Sequence, residues 1–217
     1  MPKKYLILVV LLLVTFSASS HVVVEELENM SGVDAGIVYL KLGYRHILPL
    51  GLDHILFVLS LFLLSPKLKP IIWQSTAFTI AHTVTLGLAM CNIIHPPARV
   101  VEPLISLSIL FVALQNIYSP VLKPSRVGLV FLFGLVHGLG FASALSQLGL
   151  PKQSFLTSLI MFNVGVELGQ LTVILLAFFL AGYWFGKKPY YRNRIVIPAS
   201  LMIVMVAAFW TVQRIFY

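Results

Sequence analysis

Asp53 and His54 stand side by side in GLDHILFVL, His82 in FTIAHTVTL, His137 in FGLVHGLGF, and Asn163, Glu167 and Gln170 in FNVGVELGQL, each within a strongly apolar stretch. Side chains of this kind in lipid pair with one another, bind an ion or move protons, because a charge at mid-membrane costs about 2.5–3.5 kcal/mol even on insertion scales. Neutral imidazoles and carboxylates suit nickel, cobalt, zinc and copper alike, with geometry deciding among them. The expected metal ligands are therefore His54, His82, His137, Asp53 and Glu167, around a divalent transition-metal ion of the nickel, cobalt or zinc kind. His46, Asn163, Gln170 and Thr79 are expected to orient them through hydrogen bonds. Cys91 is the only cysteine, which excludes an intrachain disulfide and a thiolate cluster.

Each residue also has a plainer reading. A single membrane histidine is more often a helix-to-helix hydrogen bond than a ligand; three at matched depth beside two acids favour a site. Arg45 and His46 read equally well as interfacial anchors, Glu102 as a helix-start or rim group, and His95 as a loop histidine. Ser143 in GFASAL lacks the nucleophile elbow that an intramembrane serine hydrolase would need.

The elements that must hold these groups are membrane helices. Hydrophobic residues make up 59% of the chain and charged residues only 10%, with a mean hydropathy of +0.97, which excludes an ordinary soluble domain. The net charge of +8 sits in short clusters between apolar stretches, so it orients the chain in a bilayer instead of holding nucleic acid. The expected fold is an all-α polytopic bundle of about six spans. They run approximately Ile47 to Leu64, Ile71 to Cys91, Val100 to Tyr118, Val127 to Leu148, Ser154 to Tyr183 and Ile195 to Phe216, separated by proline-bearing links. The fifth is longer than a crossing needs and is expected to tilt or to begin as an interfacial turn.

Residues 1–20 read as a cleavable signal peptide: Lys3 and Lys4, an apolar run from Tyr5 to Phe16, then Ser17, Ala18, Ser19 and Ser20. Residues 21–45 are expected outside the bilayer as a short extracytoplasmic segment, and 46–217 as the membrane domain. Lys67 and Lys69, Lys123 and Arg126, and Lys187, Lys188, Arg192 and Arg194 occupy alternate links. The positive-inside rule makes these links cytoplasmic and leaves both mature termini outside a cell membrane of the bacterial inner-membrane kind. The polar residues then share a slab in the central-to-outer membrane. Within it Asn163, Glu167 and Gln170 fall on one helical face, Thr79, His82 and Thr83 on another, and His46, Asp53 and His54 on a third. Gly134 and Gly138 flank His137, and Gly165 and Gly169 flank Glu167, at spacings that let helices approach closely.

The succession GYRHILPLGLDHILFVLSLFLL, AFTIAHTVTLGLA, VEPLISLSILFVALQNI, FLFGLVHGLGFASAL and FNVGVELGQL resembles the HupE/UreJ-type membrane proteins, in particular their second, RHI- and GLDH-containing branch. The resemblance spans about Gly43 to Gln170 and departs from the common pattern at Pro49-Leu50 before GLDH. It implies a membrane permease linked to nickel or cobalt supply, with polar positions at His46, Asp53, His54, His82, Glu102, His137, Asn163, Glu167 and Gln170.

Two other functions stay open on the sequence. A membrane-embedded metallohydrolase would hold one ion on three histidines and use Asp53 or Glu167 as general base. An assembly or sensor protein would use the same residues only to fix helix packing. A permease needs a polar path leading inward, for which Thr76, Thr79, Gln115 and Asn116 are the candidates. The lipid bilayer and the ion are the expected partners, and homo-oligomerisation is left open.

Overall fold

A computed structural model describes residues 32–119, 121–148 and 152–216, with side chains 143, 144, 146–148 and 152 excepted. The expected signal peptide lies outside the described residues, as does Ser143 at the level of its side chain. Every regular element among the described residues is helical. These are α1 (Gly32–Ile47), α2 (Leu52–Leu64), α3 (Leu68–Met90), α4 (Ala98–Tyr118), α5 (Arg126–Leu148), α6 (Phe155–Ala177, continued by a π turn through Gly182 and a last turn to Phe185) and α7 (Ile197–Phe216, entered by a π turn over Arg192–Val196).

The proline-bearing links set the boundaries. Pro70 falls in the first turn of α3, where its missing N–H would have had no helical partner. Pro198 in α7 cannot donate to the carbonyl one turn back, and the helix widens into its π turn just before it. Five of the expected spans correspond to α3 through α7 within a few residues. The α6 run of 31 residues is about 46 Å long at the usual rise, more than a bilayer core requires.

The first expected span differs. The helix stops at Ile47 and restarts at Leu52, and the two parts meet at 68°. Upstream of the break, α1 lies along α6 with Ala35, Gly36, Tyr39, Gly43 and Ile47 buried. Downstream, α2 has 13 residues, about 20 Å, which is too short to cross alone. Among the described residues three helices, α4, α6 and α7, are long and apolar enough to span a bilayer, or four if the bent α1–α2 pair is one broken span. At 23 residues α3 is long enough, but Gln74, Ser75, Thr76, Thr79, His82, Thr83 and Thr85 lower its hydropathy.

The helices pair as α3 with α5, α1 with α6 and α4 with α7, and α2 stands among them. Glycine permits close approach in the first two of these pairs. A Cβ at Gly138 would strike the His82 carbonyl, and one at Gly43 the backbone of Phe162. Tyr39, Ile47, Phe62, Phe162 and Ile174 fill one core region, while Phe57, Leu61, Phe78, Ile109 and Val112 fill the other. Outside, large apolar residues such as Phe111, Ile160, Leu176, Met205 and Phe209 are exposed, as lipid-facing surface requires.

Asn116 ties the basic-link ends of four helices together. Its Nδ2 donates to the Ser60 carbonyl (2.7 Å), its Oδ1 accepts from Arg126 Nη2 (3.1 Å), and its own carbonyl accepts from Arg192 Nη1 (3.2 Å). A residue expected on an inward path is thus occupied as a fastening, because Arg126 is buried and needs acceptors there.

Candidate metal-ion site

Four imidazoles converge where α1, α2, α3 and α5 meet. Ring centroids lie 4.7 Å apart for His46 and His54, 5.0 Å for His54 and His137, 5.9 Å for His54 and His82, and 6.2 Å for His46 and His82. One ring nitrogen from each of His46, His54 and His82 lies within 4.8 Å of the other two. Phe57, Phe78 and Phe141 wall the rings, and one nitrogen of each ring is buried.

Hydrogen bonds assign two of the tautomers. The Asn163 amide Nδ2 donates to the Leu159 carbonyl at 2.8 Å, which leaves Oδ1 to accept from His82 Nδ1 at 3.0 Å. Nε2 of His82 therefore keeps its lone pair. Ser108 Oγ spends its only hydrogen on the Ile105 carbonyl (2.6 Å), so His137 Nε2, 2.9 Å from Oγ, is the donor. His137 Nδ1 then carries the lone pair. Both nitrogens are buried without a hydrogen-bond partner, as are His46 Nε2 and His54 Nε2. A divalent ion of the imidazole-loving kind can bind such a set of unpartnered nitrogens.

The geometry groups these side chains differently from the expected ligand set. His46, expected as an orienting residue, is in the cluster with His54 and His82, because the break after Ile47 turns α2 back toward it. The continuous helical face supposed for His46, Asp53 and His54 does not exist. His137 adjoins the cluster through His54. The two carboxylates fall outside the group of three ligand atoms. Asp53 is paired with Arg214, Nη2 to Oδ2 at 2.8 Å, while Glu167 accepts from Thr76 at 2.8 Å and from Thr79.

Glu167 belongs to a polar seam between α3 and α6. From the His82–Asn163 pair it continues through Thr79, Glu167 and Thr76 to Ser75, whose hydroxyl donates to Gln170 Oε1 at 2.7 Å. Thr79 also reaches Gln170 Oε1 at 3.2 Å. On the other side of the rings an open cavity of about 870 Å³ has His46, His54 and His137 in its lining. Arg45, Asp53, Glu102, Trp210 and Arg214 are among its other walls. His95 stays in the loop after α3, bonded to Asn92 Oδ1 at 2.9 Å.

Arg214 and Ser108 escaped the sequence reading. Ser108 sits in an apolar helix with nothing to distinguish it from other small packing residues. Arg214 carried a faint signal, as a lone charge among the apolar residues of the last helix. A family model described as HupE / UreJ protein matches residues 7–214. No curated protein and no solved structure matches the chain.

Proposed function

Because this chain belongs to the HupE/UreJ family, whose members are membrane proteins related to nickel and cobalt transport, we propose that it is a permease for a divalent transition-metal ion. One observation carries the reading: four clustered imidazoles each present a buried ring nitrogen with no hydrogen-bond partner. A network that served only to fix helix packing has no need to bring one nitrogen from each of three imidazoles within 4.8 Å of one another, as His46, His54 and His82 do. Cations that prefer imidazole nitrogen satisfy such atoms.

In this reading all six long apolar segments cross the membrane, α2 with the help of α1, and the 870 Å³ cavity faces outside. The ion enters there, exchanges water for His46, His54 and His82, with His137 beside His54, and leaves along the α3–α6 seam. The seam supplies hydroxyl, amide and carboxylate oxygens, weaker ligands than imidazole for such ions, which favours release inward. A hydrolase would instead need a carboxylate free to act as base at the cluster. Asp53 and Glu167 are both engaged elsewhere, which speaks for transport.

The test is element analysis of full-length protein purified without a histidine tag, followed by uptake of radiolabelled nickel into proteoliposomes. About one ion per chain and time-dependent uptake are expected. Folded protein that binds none of nickel, cobalt, zinc or copper would sink the metal reading, and tightly held metal without flux would promote the hydrolase.

A further inference from the structure

The mouth of the histidine pocket already contains a cation. Arg214, in the last turn of α7, places Nη2 at 2.8 Å from Asp53 Oδ2 and 3.1 Å from Oδ1. Nη1 donates to the Glu102 carbonyl at 3.3 Å, and the guanidinium lies 5.4 Å from the Trp210 ring centre. Asp53 precedes His54 in the first turn of α2, and both line the outer cavity. The carboxylate nearest in sequence to the imidazoles is therefore held by a tethered guanidinium.

The pair is partly exposed, at 21% and 26% of the side-chain surfaces, so it adds little to stability. Its position matters more. The cavity wall carries two carboxylates, Glu102 and Asp53, and the one next to His54 has both oxygens already facing a single charge. A double charge on a small ion competes well for such oxygens, and the freed guanidinium keeps its Trp210 and Glu102 contacts. We propose that Arg214 is a resident competitor for Asp53, displaced when a divalent cation enters, so that it sets the affinity of the outer mouth. The proposal rests on the transport reading above.

Arg214 acts through Asp53 and is not itself a ligand. The experiment is equilibrium dialysis of full-length protein in lipid nanodiscs against nickel chloride. Arg214→Gln should bind nickel about tenfold more tightly than wild type, because Asp53 is released to the ion. Arg214→Lys keeps a competing cation and should stay within about threefold of wild type. In an Asp53→Asn background, removal of Arg214 should give no gain.

Unchanged or weaker binding by a folded Arg214→Gln overturns the proposal, and so does a gain that persists with Asn at position 53. If Arg214→Gln does not fold, Arg214→Met, which keeps the stem against Trp210, carries the same test. Wild type that binds none of nickel, cobalt, zinc or copper fails the transport reading and this proposal together; wild type that binds an ion, with no gain on removing Arg214, fails this proposal alone.

Discussion

His46 and His54 belong to helices that meet at 68°, yet their rings lie 4.7 Å apart, edge to face. The break between them makes this contact, and the lack of a side chain at Gly51 lets the chain pass close to the end of α1. A Cβ on Gly51 would collide with the carbonyl of His46, so any larger residue pushes the start of α2 away from the end of α1. Gly51→Ala should therefore separate the two imidazoles while α3 through α7 keep their packing. Nickel binding is expected to fall by about tenfold or more, with helicity by circular dichroism unchanged. Binding equal to wild type would show that His46 and His54 do not act on one ion.

That geometry marks the limit of what the chain reveals by spacing. On α3 and α6 the helices run unbroken, so intervals of three and four residues correctly joined Thr79 with His82 and Asn163 with Glu167. Gly134 and Gly138 likewise foretold close packing, here against Phe78 and His82. Across the break the rule fails: His46 reaches the cluster by a bend, and Asp53 points to another helix. Its partner Arg214 is 161 residues away, a pairing no local periodicity encodes.

Asn163 and Ser108 fix which nitrogen of His82 and His137 is bare. Removing such a partner frees the ring to rotate or to change tautomer, which typically costs 10- to 100-fold in metal affinity, roughly, at characterised sites. Asn163→Leu and Ser108→Ala should each weaken nickel binding by about that factor, measured by equilibrium dialysis. An unchanged affinity in Asn163→Leu would remove His82 from the ligand set.

Glu167 separates binding from passage. It is held by Thr76 and Thr79 on the seam, away from the group formed by His46, His54 and His82. Glu167→Gln keeps the size and the acceptor oxygen but removes the charge. Equilibrium nickel binding should stay within about threefold of wild type, while uptake into proteoliposomes falls by about tenfold. A loss of equilibrium binding equal to the loss of uptake would return Glu167 to the ion's own coordination shell.

Orientation can be read from a residue the chain already has. Cys91 is exposed at the end of α3, in the link to α4, and the basic links lie at the opposite ends of the helices. If Lys67, Lys69, Lys123, Lys187 and Lys188 face the cytoplasm, Cys91 faces out, on the side of the cavity that holds Asp53 and His54. An impermeant maleimide added to intact cells should label the native protein at Cys91. It should not label Cys91→Ser combined with Lys188→Cys until the membrane is opened. The reverse pattern would turn the cavity toward the cytoplasm, and with it the direction in which the imidazoles hand on their ion.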